Sequence, residues 1–279
     1  MKSLFDDVSY QCSKRVTAKY STSFSLAVKM LSPKIQEAIY AIYGFVRLAD
    51  EIVDSFHDYD KEGLLDEFEK NFMQALSQRI SLNPIFNAFQ NVVHQYNIDY
   101  ELIDAFLSSM RADLYKQTYS NVRDYEQYIY GSADAVGLMC LKVFVSGDQK
   151  SFDRLKYSAQ KLGSAFQKVN FLRDIKDDTE FLNRSYFPHL NGKSLDHTSK
   201  SLIITEIEND FEDAYVGIRQ LPAEAKFGVY TAYVYYRKLL QKLKRANVQE
   251  IKEQRIRISN SIKLGLLAKS FFNYKMNLL

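Results

Sequence analysis

The chain has 279 residues, 46% of them hydrophobic and 25% charged, with 37 basic and 34 acidic side chains for a net charge of +3. These values exclude a disordered chain and the basic stripe or tail of a nucleic-acid-binding protein, and they leave enough apolar residues for a sizeable core. Ten glycines, four prolines and only two cysteines, Cys12 and Cys140, argue against a turn-rich β fold, a disulfide framework or a cysteine zinc site.

The opening residues MKSLFDD are acidic, with no apolar run behind a basic start, so they do not read as a signal peptide. No stretch approaches eighteen uninterrupted apolar residues, so a cytoplasmic chain is expected, or one lying peripherally on the inner membrane surface. Ser32-Pro33 reads as a helix start, with Ser as N-cap and Pro in the first position. From there Ile35, Ile39, Ile42, Val46, Ala49 and Val53 form a stripe at helical spacing. Further helices are predicted over roughly 60–78, 84–95, 99–116, 121–145, 149–181, 202–220, 222–246 and 257–276. Asn83-Pro84 and Leu221-Pro222 mark starts or corners. The one long irregular piece, 183–200, carries Pro188 and Gly192; loops of that length inside a domain often act as lids. No repeat or linker interrupts the pattern, so a single all-α domain over 1–279 is expected.

Two pairs stand out, Asp50 with Asp54 and Asp174 with Asp178. Each is D-x-x-x-D, which on a helix puts both carboxylates on one face, one turn apart. With 34 acids in 279 residues, chance alone supplies about four such acidic pairs. The neighbours separate these two from chance. At about 100° per residue from Ile39, the apolar stripe spans roughly 280–360°, while Tyr43, Arg47, Asp50 and Asp54 fall at roughly 20–80°, beside it and not opposite. Gln167, Asn170, Asp174 and Asp178 likewise lie within roughly 80° of one another, and Gly163 on the same face leaves room. Like charges so placed are costly to bury unless a cation intervenes. Carboxylates with an amide oxygen, and neither cysteine nor histidine, form a hard-oxygen set suited to Mg²⁺, or to the related Mn²⁺. Mg²⁺ is usually held by one or two carboxylates plus water and substrate phosphates, and Arg47 and Arg173 could grip those phosphates. Substrates bearing diphosphates are therefore expected. His57, His94, His189 and His197 are scattered and receive no role.

These residues resemble a known family. I-Y-A-I-Y-G-F-V-R-L-A-D-E-I-V-D (39–54) resembles the first aspartate-rich motif of the squalene/phytoene synthases, and N-F-L-R-D-I-K-D-D (170–178) the second. Y-I-Y-G-S-A-D-A-V-G-L-M (128–139) is similar to the family's Y-x-Y-x-x-A-x-x-V-G segment, and Y-S-T-S-F (20–24) to its serine-containing N-terminal motif. Y-R-K-L-L (236–240) and R-I-R-I-S (255–259) resemble its closing helices. The resemblance implies a helical isoprenoid-synthase bundle around a central cavity, and head-to-head condensation of two prenyl diphosphates through a cyclopropylcarbinyl diphosphate. It implies Asp50, Asp54, Asp174 and Asp178 as metal ligands assisted by Asn170 and Gln167. Tyr43, Arg47, Tyr128, Arg173 and Tyr236 are implied in diphosphate binding and carbocation management. Ser21, Ser23, Phe24, Ala133, Gly137 and Arg255 are implied as substrate contacts. Read from the residues alone, Tyr128 and Tyr236 also fit core packing, Ser21 and Ser23 fit helix caps, and Arg255 and Arg257 a solvated stretch.

D-E-I-V-D and the isoleucine after R-D look more like phytoene synthases, which implies geranylgeranyl diphosphate as substrate and no NADPH. Squalene or dehydrosqualene formation from farnesyl diphosphate is the alternative, and only squalene would need NADPH. Tyr20 and Thr22 stand where many relatives carry a basic residue, Asp134 where a small residue is common, and Asp177 replaces the usual glutamate. A non-catalytic helical assembly protein and another Mg²⁺-dependent terpene enzyme are the rival readings. The segment 258–279 is apolar with interspersed lysines, which makes transient membrane-surface association a further expectation alongside a packed terminal helix.

Overall fold

The computed structural model describes residues 2–180, 184–190 and 194–276. In chain order the helices are α1 (Lys2–Tyr20), α2 (Thr22–Val28), α3 (Pro33–Ser55), α4 (Lys61–Gln78), α5 (Pro84–Tyr96), α6 (Tyr100–Asp113) and α7 (Val122–Ile129). A π turn (Tyr130–Asp134) leads directly into α8 (Ala135–Phe144). Then follow α9 (Gln149–Glu180), a 3₁₀ turn (Pro188–Leu190), α10 (His197–Ile218), α11 (Ala223–Arg245), α12 (Val248–Glu253) and α13 (Asn260–Lys275). Among the described residues there is no strand, only an isolated bridge between Thr118 and Ser185. No described helix is long and apolar enough to cross a membrane.

The helix starts are set by local chemistry. Asn83 accepts from the amides of Ile85 (2.9 Å) and Phe86, opening α5 ahead of Pro84. Asp60 accepts from the amide of Gly63 at 3.0 Å to open α4. Ser32 does sit at the N-cap of α3 before Pro33, but its hydroxyl makes no capping bond. The stripe on α3 is buried as the spacing requires, except that Val46 is half-buried; Ile39, Ile42 and Val46 line a cavity.

Three differences from the sequence-based expectation have physical causes. Helices α1 and α2 were not expected, because the inward face of α1 is built from Ser9, Ser13 and Thr17 and shows no apolar period. These hydroxyls are buried by donating to carbonyls four residues back, Ser9 to Phe5 at 2.8 Å and Thr17 to Ser13 at 2.9 Å. The span 121–145, expected as one helix, is helical without interruption from 122 to 144 but contains the π turn. Gly163 on α9 accommodates that turn: a Cβ there would lie 2.9 Å from the Ala133 carbonyl. Helix α10 begins five residues before the predicted 202, because Asp196 and Ser199 form a capping box. Of the irregular stretch 183–200, Asn183 and residues 191–193, including Gly192, lie outside the described residues. In the described part Arg184, Tyr186, Phe187 and Leu195 are buried, and the Ser185 amide donates to the Gln117 carbonyl at 2.8 Å.

Two apolar clusters result. One is centred on α3, α5, α6 and α8, with Phe45 stacked on Phe89 at 4.3 Å; the other gathers α7, α9, α10, α11 and α12. They meet at Leu162 and Tyr233, which pack against both. The site lies along this junction.

Candidate active site

The C-terminal halves of α3 and α9 bring Asp50, Asp54, Asp174 and Asp178 around one polar cavity of about 130 Å³. Gln167, Asn170, Phe171, Asp113, Tyr128, Arg184 and Tyr186 complete its wall. Gln167 and Asn170 also line a second, almost wholly apolar cavity of about 280 Å³. That cavity follows α9 from Asn170 back to Leu155, fifteen residues or roughly 22 Å of helix. Tyr43, Phe166 and Tyr236 flank its polar end; Leu31, Ile218 and Gly228 wall the other. The site is thus an acidic mouth on an apolar channel.

Each aspartate pair meets arginines. Arg47 pairs with Asp50 and Glu51, and its guanidinium lies 4.3 Å from the centre of the Tyr20 ring. Arg173 Nε donates to Asp174 at 2.8 Å, and Arg255 Nε lies 2.7 Å from the same carboxylate. Arg184, buried, bridges three elements: it donates to Asp54 at 2.8 Å and to the Asp113 carbonyl at 3.0 Å, and its own amide donates to the Asp178 carbonyl at 2.8 Å. Behind it, the Tyr128 hydroxyl donates to the Asp113 carboxyl at 2.8 Å.

Burial, and then the neighbouring charge of Asp54, pushes the Asp50 carboxyl up to about 7. Burial and Asp174 push Asp178 up to about 8, and burial pushes Asp113 up to about 7. Among the described residues no three His, Cys, Asp or Glu side chains are gathered as a ready ligand set. Mg²⁺ needs no such cage, since water and substrate phosphates supply most of its ligands. The donors fit a hard divalent cation: all are oxygens, and two carboxyls are held up by burial and mutual repulsion that a cation would relieve.

The raised carboxyls give a pH dependence of known sign. Each folded value lies above the unfolded value near 3.9. The stability each contributes is therefore complete below about pH 4 and is lost as pH rises through about 7–8. The melting temperature without divalent ions should fall between pH 5 and pH 8.5, and Mg²⁺ should restore most of the loss at the upper end. A curve flat over that range, with or without Mg²⁺, would contradict the crowded-carboxylate description.

Residues 17–261 match the family model described as squalene/phytoene synthase. The chain belongs to the squalene/phytoene synthase family. It is 27% identical over 267 residues to phytoene synthase 1, chloroplastic, of Solanum lycopersicum, covering 89% of this chain but only 64% of that protein. It is 29% identical over 273 residues to the 15-cis-phytoene synthase of Enterobacter agglomerans, covering 88% of this chain and 90% of that one. Its backbone is similar to the crystal structure of a dehydrosqualene synthase in complex with ligand: TM-score 0.83 and 22% identity over 97% of this chain and 98% of the other. Family membership and the all-α fold that the chain shares with that structure are thereby established.

Against that family background, the residues singled out in sequence sort by location. Phe24, Tyr43, Ala133, Gly137, Gln167, Asn170 and Tyr236 line the apolar channel. Phe24 stacks on Tyr43 at 4.7 Å and Phe166 on Tyr236 at 4.0 Å, while the Tyr236 hydroxyl donates to Asn170 at 3.3 Å. Tyr128 lines the polar cavity and is also core, stacked at 5.4 Å on Tyr186. Ser21 caps α2, accepting from the Phe24 amide at 3.3 Å, and Ser23 sits half-buried in the first turn of α2 outside both cavity linings. Asp134, the departure from the family segment, faces α9 and not the channel: Ser164 donates to it at 2.8 Å, and burial pushes it up to about 7. Tyr20, another departure, forms the ring under Arg47.

Sequence reasoning missed Asp113, Arg184 and Tyr186. Asp113 could have been found, since it continues the stripe Ile103, Phe106, Met110 at i+3, i+7 and i+10, a lone carboxylate on an apolar face. Arg184 and Tyr186 lie in irregular chain, where no period marks an inward residue.

Proposed function

We propose that this chain is a Mg²⁺-dependent synthase that condenses two molecules of geranylgeranyl diphosphate head to head into phytoene, releasing diphosphate. The observation that carries the reading is the shared wall of the two cavities, where Gln167 and Asn170 join four aspartates to an apolar channel. Asp50, Asp54, Asp174 and Asp178, assisted by Asn170 and Gln167, would hold the metal, which when bound neutralises charge on a departing diphosphate. Arg47, Arg173 and Arg255 stand at the acidic mouth to grip phosphate oxygens. The stacked pairs Phe24–Tyr43 and Phe166–Tyr236 present ring faces to an allylic cation at the start of the channel. The apolar wall beyond them keeps water from the cation. The names of the relatives from Solanum lycopersicum and Enterobacter agglomerans support phytoene as product. The likeness to a dehydrosqualene synthase, one of fold, keeps farnesyl diphosphate as the second reading.

The test is a product assay with Mg²⁺, supplying farnesyl and geranylgeranyl diphosphates separately, with and without NADPH. A forty-carbon hydrocarbon formed without NADPH is expected. A thirty-carbon product would keep the reaction and replace the substrate; released alcohol or no product would overturn the proposal.

The end of the channel walled by Leu31, Ile218 and Gly228 gives a further expected result. A Cβ on Gly228 would stand 2.4 Å from Leu31 Cδ2 and 3.0 Å from the Ala27 carbonyl, so the side chain of Leu31 must move, and Leu31 lines the channel. Gly228→Ala should lower kcat/KM for the twenty-carbon substrate relative to the fifteen-carbon one by roughly tenfold, the range for a methyl-sized misfit in an apolar pocket. Competition between the two substrates reads the ratio directly; an unchanged ratio would remove Leu31 and Gly228 as the stop.

A further inference from the structure

Helix α13 carries large apolar side chains interspersed with Lys263, Lys269, Asn273 and Lys275, and it lies at the surface. One side packs on α11: Phe271 and Tyr274 meet the Phe227 ring at 5.9 and 5.2 Å, and Asn273 donates to the Tyr230 hydroxyl at 3.1 Å. The other side turns Leu264, Phe272 and Met276 to solvent, 68%, 59% and 57% exposed, and Phe271, 51% exposed, stands at the border between the two sides. At about 100° per residue these four fall within an arc of roughly 140°. Four large apolar side chains on one helical arc are more than the scattered exposure of an ordinary surface.

The charge around this arc has one sign. Residues 255–276 include Arg255, Arg257, Lys263, Lys269 and Lys275 and no aspartate or glutamate. Lys275 lies within the apolar arc and Lys269 at its edge, at roughly 20° and 140° from Leu264. A second copy docked face to face would set these cations against their own counterparts, which like-charge repulsion opposes. An anionic bilayer complements both features at once: aromatic and leucine side chains enter the acyl boundary, while lysines meet the headgroups.

We propose that the outer face of α13 is a docking surface for anionic lipid bilayers, with Leu264, Phe271, Phe272 and Met276 inserted and Lys269 and Lys275 on the headgroups. The placement has a use under the reading above. Phe227, on which α13 rests, adjoins Gly228 in the wall of the apolar channel, so the bilayer would lie one helix away from the compartment that takes prenyl chains. The surface itself does not depend on that reading, and its test uses no turnover.

The test is flotation of the whole chain with vesicles of phosphatidylcholine alone, or with one third phosphatidylglycerol, at low and at high salt. Two variants avoid the contacts with α11: Leu264→Ser/Phe272→Ser and Lys269→Glu/Lys275→Glu, each checked for an unchanged thermal melt. The wild type should float with the anionic vesicles and much less with the neutral ones, and high salt should weaken the association. Each variant should lose roughly tenfold or more in partition. No flotation, equal flotation with both vesicles, or variants that float like the wild type would overturn the proposal. So would a concentration-dependent dimer abolished by Leu264→Ser/Phe272→Ser, which would assign the face to a second copy. Hydrocarbon synthesis from detergent-dispersed substrate, measured on the same samples, tells failure of the docking surface from failure of the enzyme reading.

Discussion

Asp50→Asn and Asp174→Asn should each lower kcat/KM by about a thousandfold, yet move stability in opposite directions. Under the proposed reading each variant loses half of a metal clamp, which would remove several kcal/mol of transition-state stabilisation, and each 1.36 kcal/mol is a factor of ten in rate. The stability effects differ because the two carboxyls have different surroundings. Burial and Asp54 hold Asp50 up to about 7, so at pH 8 it is ionised at a cost to the fold that asparagine does not carry. Its partner Arg47 retains Glu51 in the variant. Asp50→Asn should therefore melt at or above the wild type in metal-free buffer at pH 8. Asp174 is held by Arg173 and Arg255 together, and Asp174→Asn leaves both guanidinium groups short of an anion, so this variant should melt lower. Steady-state hydrocarbon release across an Mg²⁺ titration, with thermal melts of the same samples, checks both halves. Near-wild-type rates at saturating Mg²⁺ would remove these aspartates from the chemistry.

How much of this was legible in the sequence depended on whether a residue's role was written in a period. Helices α3 to α6 and α9 to α11 bury apolar residues at helical spacing, and each was readable to within a few residues. The aspartate pairs were readable for the same reason: i,i+4 places two carboxylates on a face, and their angle to the apolar stripe says whether that face turns inward. Where the inward face is made of hydroxyls, as in α1 with Ser9, Ser13 and Thr17, the period vanishes, because burial is achieved by bonding back to the helix and not by hydrophobicity. The π turn was equally silent, since inserting one residue into a helix leaves composition unchanged and is fixed by the close approach of Gly163 to the Ala133 carbonyl. At the site, sequence gave the carboxylates but not their counter-ions. Arg184 reaches Asp54 across 130 positions of chain, and such pairing is a property of the packed fold alone.

That arginine should also be the most costly polar side chain to remove. Its side chain is 6% exposed and joins Asp54, 29% exposed, to Asp113, 3% exposed, across the seam between α3 and α6. Breaking a buried pair by deleting one partner typically costs about 3–5 kcal/mol, because the other charge remains without compensation. Arg184→Gln should accordingly lower the melting temperature by roughly 10 °C. The pH dependence carries the sign of the charge left behind. Burial already pushes Asp113 up to about 7 against the pull of Arg184, and without that cation it moves higher. In the variant it is neutral at pH 5 and costly when ionised, so the deficit relative to wild type should be small at pH 5 and grow towards pH 9. Adding Asp113→Asn to Arg184→Gln should recover a large part of the loss at pH 9, since asparagine can still accept from the Tyr128 hydroxyl without bearing a charge. A deficit independent of pH, or one that Asp113→Asn deepens, would show that Arg184 serves only as packing. The predicted recovery would instead identify it as the counter-ion that lets an acidic mouth exist inside a folded helical wall.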